Sequence, residues 1–166
     1  MGNFENIDTI VLVGMGLIGG SILKGIKESS YQGYVYGLDK ESKVMEHAFD
    51  EGLIKNKDKV ISPKGKCLIV FCVPALSLEE ALKDLQSYDF LAQETIYTDT
   101  FSAKTRLLEF LEANSHIKQK FVIGHPIAGS EKSGIKNSSK DLFKDKLTLI
   151  SPFKENSNQD ISVVKG

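Results

Sequence analysis

The 166-residue sequence predicts a doubly wound α/β fold, in which a mainly parallel sheet carries helices on both faces. Three observations predict this class: a glycine-rich turn between an apolar run and a helix, an acidic residue at the end of the next apolar run, and further apolar runs that alternate with helical patterns. Ligands of such sheets bind beyond the carboxyl ends of the strands, so every strand end is a candidate site.

The first predicted strand, Ile10–Val13, runs directly into Gly14-Met15-Gly16-Leu17-Ile18-Gly19-Gly20. Gly14 allows a tight turn, Gly16 leaves room for phosphates, and Gly19 lets the following helix pack closely on the strand. The N–H groups and the positive dipole end of that helix then face an anion. The motif therefore indicates a dinucleotide pyrophosphate site, and the alternative is a tight turn without a ligand.

The second predicted strand, Tyr34–Leu38, ends at Asp39. Asp39 follows the last motif glycine by about twenty residues, where an acid accepts hydrogen bonds from ribose hydroxyls and repels a 2′-phosphate. Its charge predicts NAD as the cofactor, although the neighbouring Lys40 could tolerate the phosphate of NADP. The alternative is a turn aspartate that caps the next helix.

The later elements continue the alternation. The predicted strands are Cys67–Val73, Thr95–Thr98, Phe121–Ile123 and Leu147–Ile150, and the predicted helices between them are Leu76–Leu85 and Ser102–Leu111. The run from Cys67 is continuously apolar, as expected for a strand buried on both faces. It ends in Val73 and Pro74, which we expect at the edge of the cofactor cleft.

Of the three histidines, only His125 lies at a predicted strand end. Histidine titrates near neutrality, so it can take a proton from a hydroxyl as hydride leaves the same carbon. Ser102, at the adjacent strand end, is like Thr100 a candidate helix N-cap, and it is either a cap alone or a cap that also orients His125. Glu131 lies on a glycine-bracketed loop that either closes over a substrate or forms a solvated turn.

Composition excludes several other classes of protein. The net charge is −1, and no Lys/Arg run indicates a nucleic-acid surface. No apolar stretch is long enough to cross a membrane, and the N-terminus lacks a signal-peptide pattern. Cys67 and Cys72 lie too far apart on one strand to bridge, which indicates core residues in a reducing compartment. We expect a cytoplasmic enzyme domain without a metal site.

Four segments together resemble the prephenate dehydrogenase family, which includes the arogenate and cyclohexadienyl dehydrogenases of tyrosine biosynthesis. They are VGMGLIGGS, the strand end at Asp39, TDTFSAK and GHPIAGSEKSG, within a resemblance from Ile10 to about Ile150. HPIAGSE is the most discriminating of these. The resemblance implies a Rossmann-type NAD domain and the oxidative decarboxylation of prephenate to 4-hydroxyphenylpyruvate, or of arogenate to tyrosine.

The resemblance also implies residue roles. His125 would polarise or deprotonate the ring hydroxyl, and Ser102 would hold that hydroxyl and His125 in register with the nicotinamide. Ser130 and Glu131 would belong to the active-site loop near the side-chain end of the substrate. The ribose would contact Asp39, and the pyrophosphate would be cradled by Gly14, Gly16, Leu17, Ile18 and Gly19.

Members of the family carry a second, mostly helical domain that forms a homodimer and supplies cations for the substrate carboxylates. We therefore expect residues 1–152 to form the NAD-binding domain, and 153–166 to form a polar linker and the start of a truncated helical domain, with a helix from Ile161 behind an Asn or Asp cap. The chain alone would then be poorly active or inactive. Two alternatives remain: another NAD-dependent dehydrogenase of the 3-hydroxyacid type, and a non-catalytic NAD-sensing module.

Overall fold

The computed structural model describes residues 6–86 and 94–165, and Gly166 of the predicted second segment lies outside them. The strands in these ranges are β1 (Thr9–Val13), β2 (Tyr34–Leu38), β3 (Cys67–Phe71), β4 (Thr95–Asp99), β5 (Phe121–Pro126) and β6 (Thr148–Ser151). The helices are α1 (Leu17–Glu28), α2 (Ser42–Asp50), α3 (Leu78–Gln86), α4 (Thr105–Ala113), α5 (Ser115–Lys118) and α6 (Asn158–Lys165). None of the helices in the described ranges is long and apolar enough to span a bilayer.

The strands form one sheet in the order β2-β1-β3-β4-β5-β6. The first five are parallel, with Ile10 of β1 opposite Val35 of β2 and Leu68 of β3, and β6 runs antiparallel to β5. The predicted doubly wound, mainly parallel sheet is confirmed. The chain order reverses at β1, and such a switch point is where these sheets bind ligands.

Both faces of the sheet are buried, because alternate residues of each strand point to opposite sides. Val11, Phe71 and Leu107 belong to the core on one face, and Leu12 and Leu23 belong to the core on the other. All five are fully buried. The continuous apolar runs in the sequence are therefore explained by a sheet that is covered by helices on both sides.

The helix α6 packs on the same sheet through Val163, which is buried in the core that contains Leu12. It begins at Asn158, and the Asp160 N–H donates to the Ser157 hydroxyl at 3.1 Å. The predicted start at Ile161 behind an Asn or Asp cap is therefore wrong, since a serine provides the cap. The division into residues 1–152 and 153–166 stays a prediction.

The end of β3 differs from the prediction. The strand stops at Phe71 instead of Val73: the Cys72 N–H still donates to the Val13 carbonyl at 2.7 Å, and the chain then leaves the sheet. A short 3₁₀ turn over Ala75–Ser77 then delays α3 until Leu78.

The start of α4 also differs. The helix begins at Thr105, because the Phe101 N–H donates back to the Asp99 carboxylate at 2.9 Å and so forms a turn before the helix. Neither predicted N-cap residue caps it: the Thr100 hydroxyl donates to the Phe71 carbonyl at 3.3 Å, and the exposed Ser102 lies outside the helix. The N-cap interpretation of Ser102 is therefore wrong.

Candidate active site

The glycine loop after β1 is closely packed at two of its glycines. Gly14 has a φ of +89°, which favours glycine, and a Cβ added there would lie 2.8 Å from the Val73 nitrogen. A Cβ on Gly19 would lie only 2.1 Å from the Gly14 carbonyl oxygen and 3.3 Å from the Cys72 Cβ. These contacts confirm the predicted tight turn and close packing, and they bring Val73 against the loop. The exposed Pro74 follows it at the start of the 3₁₀ turn.

Gly16 is different, because no heavy atom lies within 4 Å of the position that its Cβ would occupy. It is the N-cap of α1, and the Gly20 N–H is donated to its carbonyl at 2.9 Å. The preceding N–H groups, on Leu17, Ile18 and Gly19, have no acceptor within the helix, and no acidic side chain occupies its first turn. Open space and free donors together suit an anionic phosphate.

Asp39 follows β2 and is tied to the glycine loop. Its Oδ2 accepts the Met15 N–H at 2.7 Å, and its Oδ1 accepts the Glu41 N–H at 3.0 Å, just before α2. The turn role considered from the sequence is therefore present. A carboxylate has about four lone-pair sites, so both oxygens can still accept ribose hydroxyls, and that role stays a prediction.

His125 is half-buried and lies near the carboxyl end of β5, opposite Leu149 of β6. The parallel strands β1, β3, β4 and β5 direct their carboxyl ends to one edge of the sheet. That edge holds the glycine loop, Val73, the segment with Ser102, and His125. Within the described ranges, no hydrogen bond joins the Ser102 hydroxyl to the His125 imidazole, so the proposed pair shares an edge of the sheet without being hydrogen-bonded.

Asp99 and Lys104 form a contact that the sequence reasoning missed. The Asp99 side chain is fully buried at the end of β4 and accepts the Gly124 N–H at 3.2 Å. The Lys104 ammonium contacts the same carboxylate and donates to the Gly124 carbonyl at 2.6 Å. Burial raises the pKa of the Asp99 carboxyl, while Lys104 and two backbone N–H groups oppose that rise. Both residues stand in TDTFSAK, but their spacing alone does not indicate a pair.

Ser130 and Glu131 are exposed on the loop after β5. The Ser130 hydroxyl accepts the Lys132 N–H at 3.1 Å, which makes this part of the loop a tight turn. No hydrogen bond links either residue to His125 in the described part of the chain. Across residues 6–86 and 94–165, no group of three or more His, Cys, Asp or Glu side chains could hold a metal ion.

The same loop is anchored further along on α1. A Cβ on Gly20 would lie 2.9 Å from Ile135 Cγ1, and the Ser139 N–H donates to the Ser21 hydroxyl at 3.0 Å. The helix that begins at the glycine loop therefore also holds the far end of the loop that follows His125.

The sequence model of the family "Prephenate dehydrogenase, nucleotide-binding domain" matches residues 22–166. The prephenate dehydrogenase of Lactococcus lactis subsp. cremoris is 32% identical over 159 residues, which cover 95% of this chain and 44% of that protein. The prephenate dehydrogenase of Bacillus subtilis is 29% identical over 160 residues, which cover 95% of this chain and 43% of that protein. The chain thus spans less than half the length of these curated relatives.

Among solved structures, the Aquifex aeolicus prephenate dehydrogenase in complex with hydroxyphenyl propionate and NAD+ superposes with a TM-score of 0.81 at 30% identity. The superposition covers 96% of this chain and 55% of that one. These matches confirm the Rossmann-type fold and the resemblance inferred from the four sequence segments. The chain belongs to the family of prephenate dehydrogenase nucleotide-binding domains.

Proposed function

We propose that this chain is the NAD-binding part of an enzyme that oxidises and decarboxylates prephenate or arogenate in tyrosine biosynthesis. One observation carries the proposal: His125, whose imidazole can accept a proton, lies at the same sheet edge as a glycine loop with free helix N–H groups. The relatives in L. lactis and B. subtilis, which are prephenate dehydrogenases, support it.

NAD fits the cleft at the end of β1. The pyrophosphate would lie over Gly16, where space is open, and would accept hydrogen bonds from the first N–H groups of α1. Asp39, held beside the loop by the Met15 N–H, would bind the ribose and repel a 2′-phosphate. The NAD+ in the related A. aeolicus structure supports the same cofactor.

When bound, NAD supplies a hydride acceptor for the ring carbon that bears the hydroxyl. His125 takes the hydroxyl proton as that hydride leaves, and Ser102 holds the hydroxyl in line with the imidazole. The ring carboxylate leaves as carbon dioxide, its electron pair makes the ring aromatic, and the ring oxygen takes back the proton held by His125. Because aromatisation drives the reaction, the protein supplies mainly alignment and a base. Ser130 and Glu131 would lie near the side-chain end of the substrate.

More than half of each of these two relatives has no counterpart in this chain, and we expect that part to be needed for activity. We expect the chain by itself to bind NAD but to turn over substrate poorly or not at all. A homodimer, formed through a helical region beyond this chain, is part of the same proposal for the full gene product.

The test is a substrate panel on the full gene product with NAD+, in which NADH absorbance and the aromatic product are both measured. We expect prephenate to give 4-hydroxyphenylpyruvate, or arogenate to give tyrosine, and the ratio of the two values of kcat/KM assigns the substrate. Oxidation of 3-hydroxyacids with neither cyclohexadiene as substrate would contradict the proposal. Tight NAD+ binding without any oxidation would instead favour an NAD-sensing module.

A further inference from the structure

We propose that the buried pair of Asp99 and Lys104 is a positioning device that holds both proposed catalytic residues, Ser102 and His125, at the edge of the sheet. This inference rests on the proposed function. It assigns to Asp99 and Lys104 a role that neither the glycine motif nor the strand-end histidine requires.

The pair connects β4 and β5 beyond the last backbone pairing between them. The ladder between these strands joins Tyr97 to Phe121 and Thr98 to Val122. Beyond it, the side chains make the connection: Asp99 accepts the Gly124 N–H, and Lys104 donates to the Gly124 carbonyl. That carbonyl belongs to the peptide bond that joins Gly124 to His125. The N–H and the carbonyl of Gly124, the residue before His125, are therefore both held by one ion pair.

The same carboxylate fixes the segment that carries Ser102. The Phe101 N–H donates to Asp99 Oδ2 at 2.9 Å, and Lys104 contacts the same oxygen. Ser102 lies between these two anchors and is itself exposed. Its position therefore depends on bonds made by its neighbours, and it needs no bond of its own to stay near the cleft.

Burial and packing make this arrangement stiff. The Asp99 side chain is 0% exposed and that of Lys104 is 21% exposed, so solvent hardly competes for their bonds. A Cβ on Gly124 would lie 2.8 Å from the Asp99 carbonyl oxygen, which means that the two strand ends touch without a gap. Since the Asp99 carboxylate is enclosed by protein donors, it acts through the residues it holds and not through contact with substrate.

The experiment compares the full gene product with its Asp99→Asn, Lys104→Met and Asp99→Asn/Lys104→Met variants. The readouts are kcat, the KM for NAD+ and the melting temperature. We expect each variant to lower kcat by about 100-fold, as displacement of an aligned group by about 1 Å does, and to change the KM for NAD+ by less than about twofold. The double variant leaves no unpaired charge in the protein interior, so its melting temperature should exceed that of Lys104→Met.

A second ion pair, between a buried aspartate and a half-exposed lysine, provides the control. Asp160 of α6, whose side chain is 5% exposed, lies 3.7 Å from Lys120, which precedes β5 at the other end of that strand from His125. Asp160→Asn/Lys120→Met should change the melting temperature and leave kcat unchanged. The positioning role would be refuted if kcat fell in step with the melting temperature in all four variants, the control included. It would also be refuted if kcat returned to the wild-type value in Asp99→Asn/Lys104→Met.

A readout without activity separates this inference from the proposed function. In the wild type and the same variants, the ¹H–¹³C resonance of the His125 imidazole reports its surroundings directly. We expect the resonance to move in the Asp99 and Lys104 variants and to stay in place in the Asp160/Lys120 control. A protein that oxidised neither prephenate nor arogenate would overturn the proposed function alone. An unmoved His125 resonance would overturn the positioning role alone.

Discussion

The two halves of the candidate site are held by different forces. At the end of β1, the glycine loop is held by close backbone packing that only glycine allows, since a Cβ added to Gly19 would lie 2.1 Å from a backbone oxygen. At the ends of β4 and β5, position depends on the buried charges of Asp99 and Lys104. Steric fit suits a site for a cofactor backbone, whereas a hydrogen-bonded ion pair can fix the side chains that are proposed to do the chemistry.

The largest expected effect is a loss of kcat when His125, at the end of β5, is replaced. His125→Asn in the full gene product should lower kcat by about 10²- to 10⁴-fold, because the proton acceptor is lost, and should leave the affinity for NAD+ nearly unchanged. Steady-state kinetics together with an NAD+ titration measure both quantities. A comparable loss of NAD+ affinity would mean that His125 belongs to the cofactor half.

The next effect is on the glycine loop. Gly19→Ala forces a methyl group against the Gly14 carbonyl, so the loop must shift, at a cost of about 1–3 kcal/mol in stability. We expect the affinity of the chain for NAD+ to fall by about 100-fold, since the helix N–H groups move with the loop, and about 2.7 kcal/mol of binding is lost. Calorimetry and urea unfolding check the two values. Unchanged affinity would show that the loop does not bind the pyrophosphate.

The Gly16→Ala variant should lower the affinity for NAD+ with little change in the stability of the fold. Nothing lies within 4 Å of the new methyl group, so stability should change by about 1 kcal/mol or less, while NAD+ affinity should fall by about 10-fold because the methyl occupies the phosphate space. The matched control is Gly25→Ala in the interior of α1, which also meets no atom within 4 Å. It should stabilise the chain by about 0.5–1 kcal/mol and leave affinity unchanged. Equal affinities in the two variants would contradict the assignment of Gly16.

The smallest expected effect is a pH dependence of protein stability, caused by the Cys72 thiol behind the glycine loop. Burial raises the pKa of the Cys72 thiol from 9.0 to about 12, so the folded state keeps a proton that the unfolded chain loses. The contribution of Cys72 to the free energy of unfolding is complete below pH 9 and is lost as the pH rises toward 12. By pH 10 the free energy of unfolding is lower by about 1.4 kcal/mol. Urea unfolding at pH 8 and pH 10 should show a smaller loss for Cys72→Ala than for the wild type. Equal losses would show that this thiol is not shielded.

The fold was predictable because its cause is local. Continuous apolar runs, a glycine turn and helical spacing are all visible in short windows, and the strands of the sheet follow from them. The end of β3 and the start of α4 were not predictable in this way. Apolar spacing encodes neither the turn that the Phe101 N–H closes on the Asp99 carboxylate before α4 nor the departure of the chain from the sheet after Phe71.

The site shows the same division. The glycines and Asp39 were singled out because their spacing is typical of a dinucleotide site, although the bond from Met15 to Asp39 was not foreseen. The pair of Asp99 and Lys104 was missed because its partner, Gly124, lies 20 residues from Lys104. An aspartate and a lysine in a polar segment resemble many solvated turns, and only the fold brings them to the residue before His125.

A calorimetric titration of this chain with NAD+ and, separately, with NADP+ measures whether the glycine loop and Asp39 form a working NAD site. We expect NAD+ to bind at least about 10-fold more tightly than NADP+, because the Asp39 carboxylate beside the glycine loop repels a 2′-phosphate, and we expect Asp39→Asn to narrow that difference. Equal or tighter binding of NADP+, or no binding of either nucleotide, would contradict the account.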